Sequence, residues 1–391
     1  MRAWIVLALL TRIAYACPHD TETQVLGVPV WATDPNEGDT FGAMPILMGV
    51  CKDDQHTDWL FAPSVTWNSL IHYTGTLRLF AYPDRDKTLQ IIASMSTQTN
   101  YNYWISWQDL PSAQFALTDE SIAKVTRSLF TRFYGLGPRS LAMNETTYTL
   151  SRAFITDRRG INLGHDINVG VIGGLEYDHA LDEGIDTLPL APELFPNVPG
   201  IQNASFVMWQ GLDARFDNRV GGDFAEQGMR VDAWGEVVEG LMNAPAFLKA
   251  GAQVNALWRE TSFLGGAVRA MWTGVTDANA PFYDQSMLGG SFVLRGFGEG
   301  RFVDRMAWEI ETEQRIKLLT THFFGVTTDW RVDPFITTGQ VFGTWNAAFD
   351  KPQVAAGVGL RAFVRPTILG RLDVAAGGEG AKVYVEIGYP Y

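Results

Sequence analysis

The chain has 391 residues, a formal net charge of −13, 39 glycines, two cysteines and many aromatic residues (23 Phe, 13 Trp, 12 Tyr). No apolar run after the first residues is long enough for a membrane-spanning helix, which excludes a helical membrane protein. The acidity argues against nucleic acid, whose phosphates are held by clustered Lys and Arg. The apolar fraction of 46% fits either a soluble protein or a membrane barrel, because an alternating strand averages to neutral hydropathy.

Met1 and Arg2 form a short basic region, Ala3 to Leu10 an apolar one, and Ala14-Tyr15-Ala16 a small-x-small site. This pattern predicts a signal peptide over 1–16, cleaved after Ala16. Cys17 would then lead the mature chain. Ala14 stands where a lipoprotein signal usually has Leu, so that reading is secondary. Cys17 and Cys51 would share an oxidising compartment, although their spacing does not show that they pair. Two cysteines and scattered histidines give no metal motif, and no cofactor motif is present.

Residues 17–40, with Pro35, Asn36, Gly38 and Asp39, read as a short periplasmic linker or plug-like segment. From Phe41 onward, short segments of period-two alternation are separated by polar, Gly-rich or Pro-rich turns, which predicts an all-β chain. The segments lie near 41–50, 61–70, 74–82, 88–98, 122–134, 145–157, 164–177, 204–216, 229–239, 247–258, 264–275, 304–319, 330–342, 354–364, 369–376 and 382–391. That is about sixteen strands, with a weaker segment at 100–108. The expected fold is therefore a transmembrane antiparallel β-barrel over 41–391. The stretch 178–203 reads as a surface-exposed loop, with Leu188, Leu190, Leu194 and Phe195 able to pack over the barrel mouth.

Catalysis is not expected. The histidines His19, His56, His72, His165, His179 and His322 accompany no nucleophile arrangement, and there is no Gly-x-Ser-x-Gly elbow. His179 with Asp178 and Asp182 is better read as a solvated acidic stretch than as a cation site.

Two strands carry most of the argument. Near 304–319, Met306, Trp308 and Ile310 alternate with Glu309, Glu311, Glu313, Arg315 and Lys317, a charged row that suits a lumen. In the last segment Val383, Val385, Ile387, Tyr389 and Tyr391 share one face, and Tyr384, Glu386 and Gly388 the other. An alternating strand ending on an aromatic residue resembles the signal by which outer-membrane barrels are recognised for assembly. Pro390 departs from it by removing one backbone donor.

Gly289-Gly290-Ser291-Phe292-Val293-Leu294-Arg295-Gly296-Phe297, followed by Gly300-Arg301-Phe302, resembles the conserved loop of the BamA/TamA surface-antigen superfamily of outer-membrane barrels. Other stretches are similar to the same family: Phe133 to Pro138 before Tyr148, Asp213-Ala214-Arg215 before Gly228, and Gly357 to Arg361, Arg371-Leu372-Asp373 and Gly388 to Tyr391 as the last three strands. The resemblance covers about 41–391. It implies that the loop folds back into the lumen and that Arg295 is held on the inner wall. The glycines leave the turn unobstructed, so that a planar guanidinium can meet carboxylates with paired hydrogen bonds. The candidates are Glu309, Glu311, Glu313, Asp333 and Asp373. One departure is Phe335-Ile336-Thr337-Thr338-Gly339, with Thr337 where the family commonly has Asp.

Well-studied members carry periplasmic POTRA domains, for which 17–40 leaves no room. The resemblance implies insertion or translocation of protein or lipid at the bacterial outer membrane, through the seam between first and last strands. It also implies contact with outer-membrane lipid and the barrel assembly machinery, with a polypeptide or lipid client and a periplasmic partner unspecified. A loop-plugged passive pore is the alternative, and a lipid hydrolase a lesser one.

Overall fold

The computed structural model describes residues 21–52, 57–220, 225–323, 326–364 and 368–387. The expected signal peptide, Cys17, and the terminal Gly388 to Tyr391 lie outside them. The first half of the sheet comprises β1 (Thr21–Asp34), β2 (Gly38–Cys51), β3 (Thr57–Phe61), β4 (Ser64–Asn68), β5 (His72–Asp84), β6 (Lys87–Ser96), β7 (Tyr101–Asp109) and β8 (Leu117–Ser128). A small pair, β9 (Arg132–Phe133) and β10 (Thr146–Thr147), sits in the next connection. It is followed by β11 (Thr149–Gly164), β12 (Ile167–Leu181), the short helix α1 (Ala191–Leu194), β13 (Ser205–Asp217), β14 (Gly228–Met242), β15 (Phe247–Arg259) and β16 (Leu264–Val275). A second small pair, β17 (Ser286–Leu288) and β18 (Phe302–Asp304), brackets the Gly-rich motif before β19 (Met306–Phe323), β20 (Val326–Phe342), β21 (Gln353–Val364), β22 (Ile368–Gly377) and β23 (Gly380–Ile387).

These strands close into an antiparallel barrel of 18 staves. β3 and β4 share both neighbours, β2 and β5, and form one stave interrupted at Ala62-Pro63, where proline has no N–H for the ladder. The sequence expectation of about sixteen falls short by β7, which is a full stave, and by β1. The segment 17–40 is thus not a linker or plug over Thr21–Asp34: it is a strand paired with β2 from Thr21↔Cys51 to Asp34↔Gly38. It escapes notice because both of its faces are apolar. Val25 and Trp31 are exposed on one side, while Leu26, Val28 and Val30 pack against Met44, Ile46 and Met48 on the other.

The division between walls follows period two. Along β19, Glu309, Glu311 and Glu313 are buried inside, whereas Ile310 is exposed outside. Long connections at 129–148, 182–204 and 276–305 gather at one end, which on barrels of this type is the extracellular one. They form a cap with its own core of Phe133, Tyr148, Ala191, Ile201, Phe282 and Val303. The stretch 178–203 therefore differs from a loose surface loop. Its first residues extend β12, and Phe195 packs edge-on against Phe133 at 5.0 Å. Leu194 stays exposed.

Candidate functional site

The connection between β16 and β19 turns down into the barrel, and its sequence explains how. Gly289 and Gly296 have φ of 109° and 117°, where side chains are rarely tolerated. A Cβ on Gly296 would lie 2.7 Å from the Ala355 side chain on β21, so only glycine lets the loop lie this close to the wall. The Gly290 N–H donates to the Phe297 carbonyl at 2.9 Å, closing the loop on itself. Between them Leu294 is held at φ 49°, an uncommon conformation for a non-glycine residue, and it is fully buried.

That turn aims Arg295 at the inner wall. Its Nε and Nη2 donate to both oxygens of Glu311 at 2.9 and 2.6 Å, the paired geometry a planar guanidinium favours. Nη2 also reaches Glu313 at 3.1 Å, and Nη1 reaches Asp373 at 3.3 Å. The guanidinium lies 3.5 Å from the centre of the Phe335 ring, adding a cation–π contact. Three of the candidate carboxylates thus meet Arg295. The other two do not.

Glu309 accepts from Arg269 at 2.8 and 3.1 Å, from the Leu294 N–H at 3.1 Å and from the Thr337 hydroxyl at 2.8 Å. Thr337, where the sequence resemblance leads one to expect an acid, therefore serves a glutamate on the neighbouring stave rather than the arginine. Asp333 pairs with Arg361 at 3.3 Å, and Arg361 also meets Asp373 at 2.5 Å. Arg269, Arg295, Arg315, Arg361 and Arg371 face Glu309, Glu311, Glu313, Asp333 and Asp373, so opposite charges interleave along the inner wall. Matching matters because a buried ion left without its partner costs several kcal/mol.

The loop also grips the strands that bound the seam. Gly296 N–H donates to the Tyr384 hydroxyl at 3.1 Å, and that hydroxyl donates to the Phe297 carbonyl at 2.7 Å. Arg371 donates to the Ser291 carbonyl at 2.9 Å and pairs with Glu386 on β23 at 2.6 Å. On the other side, the Asn36 amide in the β1–β2 turn donates to the Glu299 carbonyl at 2.9 Å. Arg301 forms a separate clamp, with Glu379 in the β22–β23 turn at 2.7 Å and Ser140 in the cap at 2.9 Å.

Among the described residues β1 and β23 share one register pair, Thr33↔Val385, although every other neighbouring pair of long staves runs a ladder. Val383 lies on the outer wall as alternation predicts, Ile387 ends β23, and Tyr389 and Tyr391 fall outside the described residues. Beside the seam a cavity of about 370 Å³ is lined by Asp34, Glu37, Ser291, Phe292, Glu299 and Glu386. Recession from water, then Asp34, Glu299 and Glu386, push the Glu37 carboxyl up to about 8, against the opposing pull of Arg132.

Sequence reasoning missed Phe335, Tyr384, Arg361, Arg371 and Arg269 as partners. Inward alternation on β16, β20, β21, β22 and β23 was the available signal. Asp178 and His179 point to opposite faces of β12, and Asp178 is buried against Arg152 at 2.5 Å, so they do not converge on a cation.

The barrel fold has counterparts among solved structures. BamA from Haemophilus ducreyi lacking POTRA domains 1–3 superposes with a TM-score of 0.58 at 12% identity, over 99% of this chain and 78% of that one. The chain has the barrel fold of BamA and CdiB. CdiB from Acinetobacter baumannii gives 0.51 at 14% identity, over 94% of this chain and 65% of its own, and CdiB from Escherichia coli 0.53 at 11%, over 95% and 63%. The chain therefore spans just under two thirds of each CdiB. No protein-family model and no curated protein matches it.

Proposed function

We propose that this protein resides in the bacterial outer membrane and helps polypeptides, or lipids, to insert into or cross that membrane by parting the β1–β23 seam. The observation that carries this reading is the inward loop that straddles the seam and holds Tyr384 and Asn36 on its two sides, where β1 and β23 share one register pair among the described residues. An edge with unpaired backbone groups is a template for another strand. The fold shared with BamA and CdiB supports the same class of work, by analogy of architecture. Outer-membrane lipid surrounds the barrel, the assembly machinery inserts it, and a periplasmic partner delivers the client.

The test is to lock the seam. With Thr33→Cys and Val385→Cys joined by a disulfide, the barrel should assemble and remain heat-modifiable, yet lose most of its ability to speed insertion of a small unfolded outer-membrane barrel into liposomes. Reduction should restore it. Full activity in the oxidised form would rule out the seam. A plugged pore is the second reading, favoured by the depth at which Arg295 is buried in the lumen. It requires ion conductance that the same disulfide leaves unchanged.

A further inference from the structure

The outer wall carries a polar island where its surroundings are apolar. By their pairing on β8 and β11, Asp119, Ser121, Asp157 and Arg159 all project outward. Arg159 donates through Nε and Nη2 to Asp157 at 3.0 and 3.2 Å, and its Nη1 stands 2.8 Å from Asp119. Ser121 donates to Asp157 at 2.6 Å. Exposed apolar side chains border the group: Ile155 towards the cap, Leu117 towards the short turns, Val171 alongside. Next to Arg159 a shallow trough of about 810 Å³ runs across the wall between Ile161, Val169 and Leu212, its floor lowered by Ala214, Ala233 and Gly235.

Depth along the stave is informative. β8 begins at Leu117, just before Asp119, so the island lies at the short-turn end of the wall. Charged groups on the outside of a barrel are costly at the midplane and tolerated near the interface, where lipid headgroups lie. Its charges also select a ligand. A lone phosphate near Arg159 would be repelled by two carboxylates, and a lone cation near the carboxylates would be repelled by Arg159. A headgroup carrying both a phosphate and a primary ammonium satisfies both sides, with its N–H groups donating to Asp119 and Asp157 and its phosphate accepting from Arg159.

We propose that this island and trough bind a phospholipid of the phosphatidylethanolamine class from the periplasm-facing leaflet, one acyl chain lying in the trough. The proposal rests on the outer-membrane placement above. The test is native mass spectrometry of the full detergent-solubilised chain with added dioleoyl phosphatidylethanolamine, phosphatidylcholine or phosphatidylglycerol. The ethanolamine lipid should be retained about tenfold more than the choline lipid, which has no N–H to donate, the scale of a charge-assisted hydrogen bond. Arg159→Ala, and Asp119→Asn with Asp157→Asn, should reduce retention to the choline level. Val171→Trp, which fills the trough and leaves every charge in place, should reduce it too and guards against loss of folding in the charge variants. Equal retention of the three lipids, or unchanged retention in all variants, would overturn the site alone. A chain that retains no lipid and shows no heat-modifiable form would overturn the placement instead.

Discussion

β19 and β20 are zipped from Met306↔Phe342 to Phe323↔Val326, whereas among the described residues β1 and β23 meet at Thr33↔Val385. Both pairs belong to one closed sheet, yet they are held in different ways. The first is held by its backbone ladder. The second is bridged by the inward loop, whose backbone meets the Tyr384 side chain on one side and the Asn36 side chain on the other. A ladder opens only by losing many bonds in succession, but a latch of a few side chains can release as a unit.

The largest effect should come from Arg295→Ala, which strips Glu311 of its paired donors in a buried setting. The expected loss is about 3–5 kcal/mol, read from urea unfolding in detergent, with residues 289–301 becoming protease-sensitive. Arg295→Lys should recover part of it, since a point charge cannot make the planar contact. Adding Glu311→Gln to Arg295→Ala should cost less than the sum of the two. Wild-type stability in Arg295→Ala would remove the latch from the comparison.

Tyr384→Phe is the next step down. It deletes the hydroxyl that links Gly296 to Phe297, for an expected loss of about 1–2 kcal/mol and faster proteolysis of the loop, with the β19–β20 ladder unaffected by amide exchange. Faster exchange in that ladder as well would show that seam and wall open together.

The last expectation is a pH dependence. The Glu37 carboxyl is raised from 4.5 to about 8, so the folded seam keeps a proton that the unfolded chain releases. The folded state binds more protons across that window, so its stability is greatest at the acid end and falls as pH rises through about 8. Urea midpoints between about pH 5 and about pH 9 should decline in wild type and flatten in Glu37→Gln. An unchanged slope would place the effect on the other seam carboxylates.

Much of this was legible from alternation. The charged row of β19 marks the inner wall, and the resemblance carried by the Gly-Gly to Arg-Gly-Phe string offers Glu309, Glu311, Glu313, Asp333 and Asp373 to Arg295, of which Glu311, Glu313 and Asp373 meet it. β1 was hidden because it is apolar on both faces, so no period-two contrast separates it from a linker. Register across several staves was hidden too. It decides that Thr337 meets Glu309, that Asp333 goes to Arg361 and that Tyr384 lies under Gly296. Each depends on strands far apart in the chain, and period two says which face a residue takes but not which neighbour it finds there.

The interleaving of opposite charges around Arg295 has an electrical consequence. Were the loop to withdraw as proposed, Arg295 would leave with it, while Glu311, Glu313 and Asp373 would stay on the wall with Arg315, Arg361 and Arg371. The vacated vestibule would then be one positive charge poorer. Mobile cations would stand in for the departed guanidinium, so the unlatched barrel would discriminate against anions and would be easier to reach in concentrated salt than in dilute buffer.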